Sequence, residues 1–234
     1  MEINTIDEAI KRCNNEITFN GVLTELNINI INRGEDVIVK YKGVVDKDNA
    51  FIQIYGTMSN NNIRFSSTLE ELKSLQANII TLSEDGEITS TKFSNKAHVV
   101  YVRGKVINEN SVSVQYMARS TSNEKVFENN IIGVIEDINL ENNKVTLFII
   151  DDYYHQTLLL ECNTKCIESL VLAYKDKDVY DTPLVKLVLN MLPYTNNTTP
   201  FICSDIVMYD DNISMSVINQ AKLERDIYLA SGES

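Results

Sequence analysis

The chain has 234 residues, 44% of them hydrophobic, and a formal net charge of −12; this length allows one large core or two smaller ones. That charge argues against gripping duplex DNA by bulk positive potential, and no run of about 18 apolar residues is present to form a membrane-spanning helix. Residues 1–15 lack the basic-then-apolar layout of a secretory signal, so the expected location is the cytoplasm.

Cys13, Cys162, Cys166 and Cys203 then read as buried reduced thiols rather than a disulfide framework. The charge is unevenly spread. Residues 1–125 carry 14 Lys and Arg against 16 Asp and Glu, whereas residues 126–234 carry 7 against 17.

In chain order, Thr5 and Glu8 form a capping box for a short helix bearing Ile6, Ile10 and Cys13. A strand follows at Gly21-Val22-Leu23-Thr24-Glu25-Leu26-Asn27, then two β-branched and aromatic runs at Asp36 to Val45 and Ala50 to Thr57. Ser67 and Glu70 suggest a second capping box, with Leu69, Leu72, Leu75 and Ile79 on one helical stripe. After a polar loop at 83–96, Asn108-Glu109-Asn110 joins two strands, Ala97 to Ile107 and Ser111 to Met117, at hairpin spacing.

Beyond a linker at 121–130 the order repeats. Gly133-Val134-Ile135-Glu136-Asp137-Ile138-Asn139 echoes the first strand at an offset of 112 residues, which points to duplication. Strands are expected at Lys144 to Asp151 and Gln156 to Cys162. A helix capped by Thr164 should follow, carrying Cys166, Ile167, Leu170, Val171 and Tyr174 on its apolar face. Two more strands, Leu184 to Leu192 and Phe201 to Tyr209, keep Pro183, Pro193 and Pro200 at their margins. A C-terminal helix near 217–230 closes the chain.

Three strands, a helix and a hairpin is the element order of the OB-fold, a barrel that holds oligonucleotides and oligosaccharides. The reading is an all-β protein with a few short helices. It has two tandem OB-like five-stranded barrels, at 1–125 with the leading helix and at 126–234 with the C-terminal helix.

Alternation along strands separates inward from outward residues. With Val37, Val39, Tyr41, Ile52 and Ile54 filling the barrel, Lys40, Lys42, Phe51 and Tyr55 point outward. The same logic turns Tyr101, Arg103 and Lys105 out and Val100 and Val102 in, and sets Gln115, Met117 and Arg119 opposite Val112, Val114 and Tyr116. Interleaved cations and rings suit a single strand, whose backbone needs charge and whose bases stack. Arg33 and Arg64, in loops, extend the track. Outward Lys and Arg are also ordinary solvated residues that blunt strand edges, and an outward ring can pack under a helix.

His155, Cys162, Cys166 and Cys203 are the right ligand types for zinc, yet no C-x2-C pair is present and no metal is expected. His98 and His155, without a phosphate loop, nucleophile elbow or H-E-x-x-H, assemble no catalytic set, so neither enzyme activity nor a cofactor is expected.

The run Ile17-Thr18-Phe19-Asn20-Gly21-Val22-Leu23-Thr24-Glu25-Leu26, with Val102-Arg103-Gly104-Lys105-Val106 leading into Glu109-Asn110, resembles the first and fourth strands of phage-encoded single-stranded-DNA-binding proteins from low-GC bacteria. The resemblance spans residues 17–165. It implies a non-enzymatic replication or recombination accessory, in the host cytoplasm, that coats single-stranded DNA, with RNA as a further candidate. The acidic C-terminal half reads from its charge either as a docking surface for a basic partner, such as a replication or recombination protein, or as a guard against non-specific adhesion to duplex. The chain departs from many such binders in having no tryptophan. A protein-interaction or structural module of a phage assembly or replication complex is the alternative. A sliding-clamp subunit is disfavoured, because the helices at 67–80 and 217–230 are not basic.

Overall fold

The computed structural model describes residues 1–79, 99–120, 128–152, 154–174, 182–192 and 199–231. His98, the loop at 83–96 and most of the linker at 121–130 lie outside them. Among the described residues no helix is long and apolar enough to cross a membrane.

The first half opens on β2 (Glu16–Arg33), which runs antiparallel to β3 (Asp36–Lys47). A tight turn with Asp48 and Asn49 at φ 55 and 69 leads to β4 (Ala50–Ser59). Asx residues suit such a turn because they tolerate the left-handed region. The helix α2 (Phe65–Ile79) then precedes the hairpin of β5 (Val99–Asn108) and β6 (Ser111–Arg119). These strands close a barrel in the order β2-β3-β4-β6-β5, with β4 and β6 parallel and β5 returning to β2. Closure leaves no free edge. Phe19, Leu23, Val39, Val45, Ile52 and Ile54 fill the interior, and Leu72 and Leu75 of α2 plug one end.

The second half comprises β7 (Asn129–Asn139), β8 (Lys144–Ile149), β9 (Gln156–Cys162), α3 (Thr164–Tyr174), β10 (Pro183–Met191), β11 (Phe201–Ile213) and α4 (Met215–Ser231). Its pairings trace the same circuit: β7 to β8, β8 to β9, β9 parallel to β11, β11 to β10, and β10 back to β7. Leu147, Leu158, Leu160, Leu187 and Phe201 lie in its core with Leu170 of α3.

The repeated motif corresponds residue by residue. Thr24 is skipped in the pairing of β2 with β3, and Glu136, 112 positions later, is skipped in that of β7 with β8, so both halves carry a bulge at the same place. Each bulge follows a glycine for which a packing reason exists. A Cβ on Gly21 would meet the Asp46 carbonyl oxygen at 2.7 Å, and one on Gly133 would meet the Phe148 carbonyl oxygen at 2.5 Å. The first strand therefore crosses the second at backbone contact in both halves, a bend that bulges favour.

The leading segment goes to the second half. β1 (Glu2–Ile3) adds in parallel to β11, and Arg12 of α1 (Ile6–Arg12) pairs with Asp211 and lies 5.9 Å from the Tyr209 ring centroid. Thr5 caps α1 as expected, its side chain accepting from the Glu8 N–H at 3.3 Å. The other two caps differ from expectation. Ser67 is inside α2, donating to the Arg64 carbonyl, while Asn62 organises the entry turn by accepting the Arg64 N–H at 2.9 Å. At α3 it is Asn163, not Thr164, whose side chain accepts from the Cys166 N–H at 2.7 Å. Asn competes at least as well as Ser and Thr for such positions.

The halves are docked by paired polar groups. Asn129 and Thr18 exchange two hydrogen bonds of 2.8 and 3.0 Å, and Asn15, itself buried, donates to Val106 O and Gln156 Oε1. Lys105 reaches both oxygens of Asp151, and Lys144 pairs with Glu109 at 3.0 Å.

Candidate nucleic-acid interface

On the outer face of β3 and β4, Lys42 is register partner to Tyr55 and Lys40 to Thr57. Asn27 and Asn29 of β2 stand opposite Lys42 and Lys40. These residues line one groove of about 330 Å³, walled by the Tyr55 ring. Alternation puts the lysines there, because Val39 and Tyr41 are drawn into the core. Tyr41 packs its ring against Gly56, where a Cβ would fall 2.0 Å from the ring. Burial pushes the Tyr41 hydroxyl up to about 12.

Lys40 and Lys42 are exposed and form no ion pair with the described residues. Tyr55 is 40% exposed, and its hydroxyl donates to Gln53 Oε1 at 2.6 Å, which fixes the ring's tilt. Two such ammonium groups beside a held ring can take a phosphate and an adjoining base together. Phe51, 45% exposed, shares this face of β4 but stands opposite Asp46, four residues from Tyr55.

The remaining outward cations are placed elsewhere. Arg103 is turned out, but its guanidinium donates twice to Glu16, at 2.8 and 3.1 Å, and that carboxylate holds it more firmly protonated. Lys105 is committed to Asp151 at the seam between the halves. Arg119 hydrogen-bonds Ser74 of α2 at 2.7 Å. Arg33 stands at the tip of the β2–β3 hairpin and Arg64 in the turn into α2, both exposed. The structure therefore brings together Lys40, Lys42 and Tyr55, and disperses the rest.

One face assignment is corrected. Strict alternation puts Tyr116 inside with Val112 and Val114, and Met117 outside; in the structure Tyr116 is 44% exposed and Met117 is 5% exposed. The cause is a bulge: Arg103 pairs with Tyr116 and Gly104 with Val114, so Gln115 is extra and the alternation reverses beyond it. Tyr116 then meets Tyr101 edge-on, with centroids 6.2 Å apart at 59°. It is an outward ring that the sequence pattern misses, and the switch to Tyr-Met-Ala after Gln115 is its only trace in the sequence.

The three second-half cysteines come together in the core. The Cys166 thiol is pushed up by its hydrogen bond with Cys162 and then by burial, and Cys162 in turn meets Cys203. His155 is elsewhere, 3.3 Å from Glu224. Among the described residues no cluster of three or more His, Cys, Asp or Glu side chains is arranged to hold a metal ion.

No family model and no curated protein sequence matches the chain. Among solved structures, it is similar to a deletion mutant of the single-stranded DNA binding protein from Thermus aquaticus, at 9% identity and a TM-score of 0.42, covering 86% of this chain and 96% of that one. It is also similar to a Replication Protein A heterotrimer bound to ssDNA, at 12% identity and a TM-score of 0.24, covering 94% of this chain and 53% of that one. A third likeness, to the p202 HIN2 tetramer, has 10% identity and a TM-score of 0.23 over 83% of this chain and 92% of that one. At TM-scores this low the likenesses carry no argument about what this chain binds.

Proposed function

We propose that the protein is a non-enzymatic single-stranded-DNA-binding protein that holds the strand on the outer face of β2, β3 and β4, as a replication or recombination accessory. The observation that carries this reading is the groove in which Lys40, Lys42 and Tyr55 converge, with both lysines free of carboxylates among the described residues. In a chain of net charge −12, Arg103, Lys105 and Arg119 are engaged by Glu16, Asp151 and Ser74, whereas Lys40 and Lys42 share one groove and can take a phosphate backbone. Stacking on Tyr55 supplies a sequence-tolerant contribution of about 1–3 kcal/mol.

The test is fluorescence anisotropy with labelled oligo(dT) at two salt concentrations. Binding that weakens with salt, and is about tenfold weaker in the Lys40→Ala/Lys42→Ala variant, is expected. Absence of binding at low salt, or wild-type affinity in that variant, would sink the reading. A second reading, a protein-interaction module, is favoured by α4, where Leu223 and Ile227 are one turn apart and each 61% exposed. Co-purification of a stoichiometric protein partner without oligonucleotide affinity would select it.

A further inference from the structure

The row of register partners that contains Lys42 and Tyr55 continues beyond the groove. Tyr55 is register partner to Ser113 of β6, and Ser113 to Lys105 of β5, so the outward track crosses the barrel toward the second half. There Ser113 and Gln115 line a cavity of about 200 Å³ whose far wall is Tyr154 and Gln156. Tyr154, Gln156 and Ile107 also line a larger cavity of about 660 Å³, closed on its other side by Arg225 and Tyr228 of α4. The three hollows thus follow one another across the seam.

The larger cavity has the chemistry of a base site rather than a phosphate site. Tyr154 stacks on Tyr228, with centroids 5.1 Å apart at 17°, yet remains 53% exposed. Arg225 is held by Thr157 Oγ1 at 2.6 Å and lies beside Asp226 at 3.4 Å, and Lys105 nearby is spent on Asp151. The cations around it are compensated, so little is left to attract a backbone charge, whereas rings and a planar guanidinium line the wall. Its size is in the range of small-molecule sites.

We infer that this crevice between β5, β9 and α4 receives a nucleobase of the strand held on β3 and β4, making Tyr154 and Tyr228 a second stacking platform. The inference rests on the proposed function and extends it to the acidic half, by stacking instead of charge. A strand seated on Lys40, Lys42 and Tyr55 alone would engage few nucleotides. One that continues into the crevice spans both halves, and only longer oligonucleotides gain from it.

The experiment uses the full chain with oligo(dT) of about 6 and about 20 nucleotides, one within the range of single-barrel site sizes and one beyond it. The Tyr154→Ala/Tyr228→Ala variant is expected to lose about tenfold in affinity for the longer strand and nothing for the shorter, while Tyr154→Phe keeps wild-type affinity. Photocrosslinking of the wild-type protein to the longer strand carrying 5-iododeoxyuridine, mapped by mass spectrometry, should place adducts on Tyr154 or Tyr228, whatever the alanine variant does to folding. Adducts confined to Tyr55 or Tyr116, or unchanged long-strand affinity in a folded double variant, would overturn the inference and leave the proposed function standing. If the wild-type protein binds neither oligonucleotide, both fall.

Discussion

The two halves share a circuit, a bulge and a glycine, and differ at the face where the first offers its groove. Register equates Lys42 with Lys144, since each stands opposite the Asn that ends its motif, Asn27 and Asn139. It also equates Tyr55, opposite Lys42, with Glu161, opposite Lys144. In the second half the ring has become a carboxylate and the lysine is spent on Glu109. Beside it α4 covers the outer face: Lys222 bonds Glu136 at 2.6 Å, and Lys222 and Arg225 lie 5.5 and 5.4 Å from the ring centroid of Phe148, which is wholly buried although its register equivalent, Asp46, is half-exposed. The bend of the barrel is shared by the two halves, and the outward positions differ between them. A barrel needs the first for closure, while the second is free to follow a ligand or a covering helix.

This contrast can be broken most forcefully by giving the first half the second half's residue. Tyr55→Glu removes a ring and adds a negative charge opposite Lys42, and should lower affinity for oligo(dT) by about 30-fold or more in an anisotropy titration at low salt. Next in size, Lys40→Ala/Lys42→Ala should weaken binding about tenfold and reduce the slope of log K against log salt by about 1.4, at about 0.7 for each phosphate no longer neutralised. Arg103→Ala, which frees only a surface pair with Glu16, should change affinity less than about threefold, because exposed pairs contribute little. The reverse exchange, Glu161→Tyr, should leave oligonucleotide affinity within about twofold of wild type, since Lys144 is not available beside it.

A smaller effect separates the cores. Tyr41 titrates in the folded protein at about 12, above its ordinary value of 10, so the unfolded chain loses this proton first as pH rises. Stability contributed by the neutral hydroxyl is full below pH 10 and falls between pH 10 and 12, by about 1.4 kcal/mol per unit at most. Urea midpoints at pH 9 and 11 should therefore differ less for Tyr41→Phe than for wild type.

Much of the first barrel is legible in the sequence because its strands alternate strictly: Val39 and Tyr41 against Lys40 and Lys42, Ile52 and Ile54 against Gln53 and Tyr55. The face holding Lys40, Lys42 and Tyr55 follows from that alternation alone. What escapes depends on partners distant in sequence or on a single inserted residue. Lys105 reads as an outward cation until Asp151, 46 positions away, takes it. Tyr116 reads as inward until Gln115 bulges. Leu147, Phe148 and Ile149 are all buried, and a continuous apolar run does not announce which helix will cover its outer side. Asn163 is hidden as a cap because the adjacent Thr164 offers similar chemistry, and Asn62, which braces the turn into α2, is masked by the capping-box pattern at Ser67 and Glu70.

The placement of β1 makes the second half depend on a strand that precedes the first barrel. Ile3 pairs with Ile213, 210 positions later, so the first barrel lies between β1 and β11 as an insertion in the second half. The groove-bearing barrel closes on strands contiguous in sequence, whereas its neighbour takes strands from both sides of that barrel, a non-local pairing that is slower to form. A fragment ending near residue 125 would then carry Ile3, Ala9 and Cys13 as exposed apolar surface, and starting the fragment at Glu16 removes that liability.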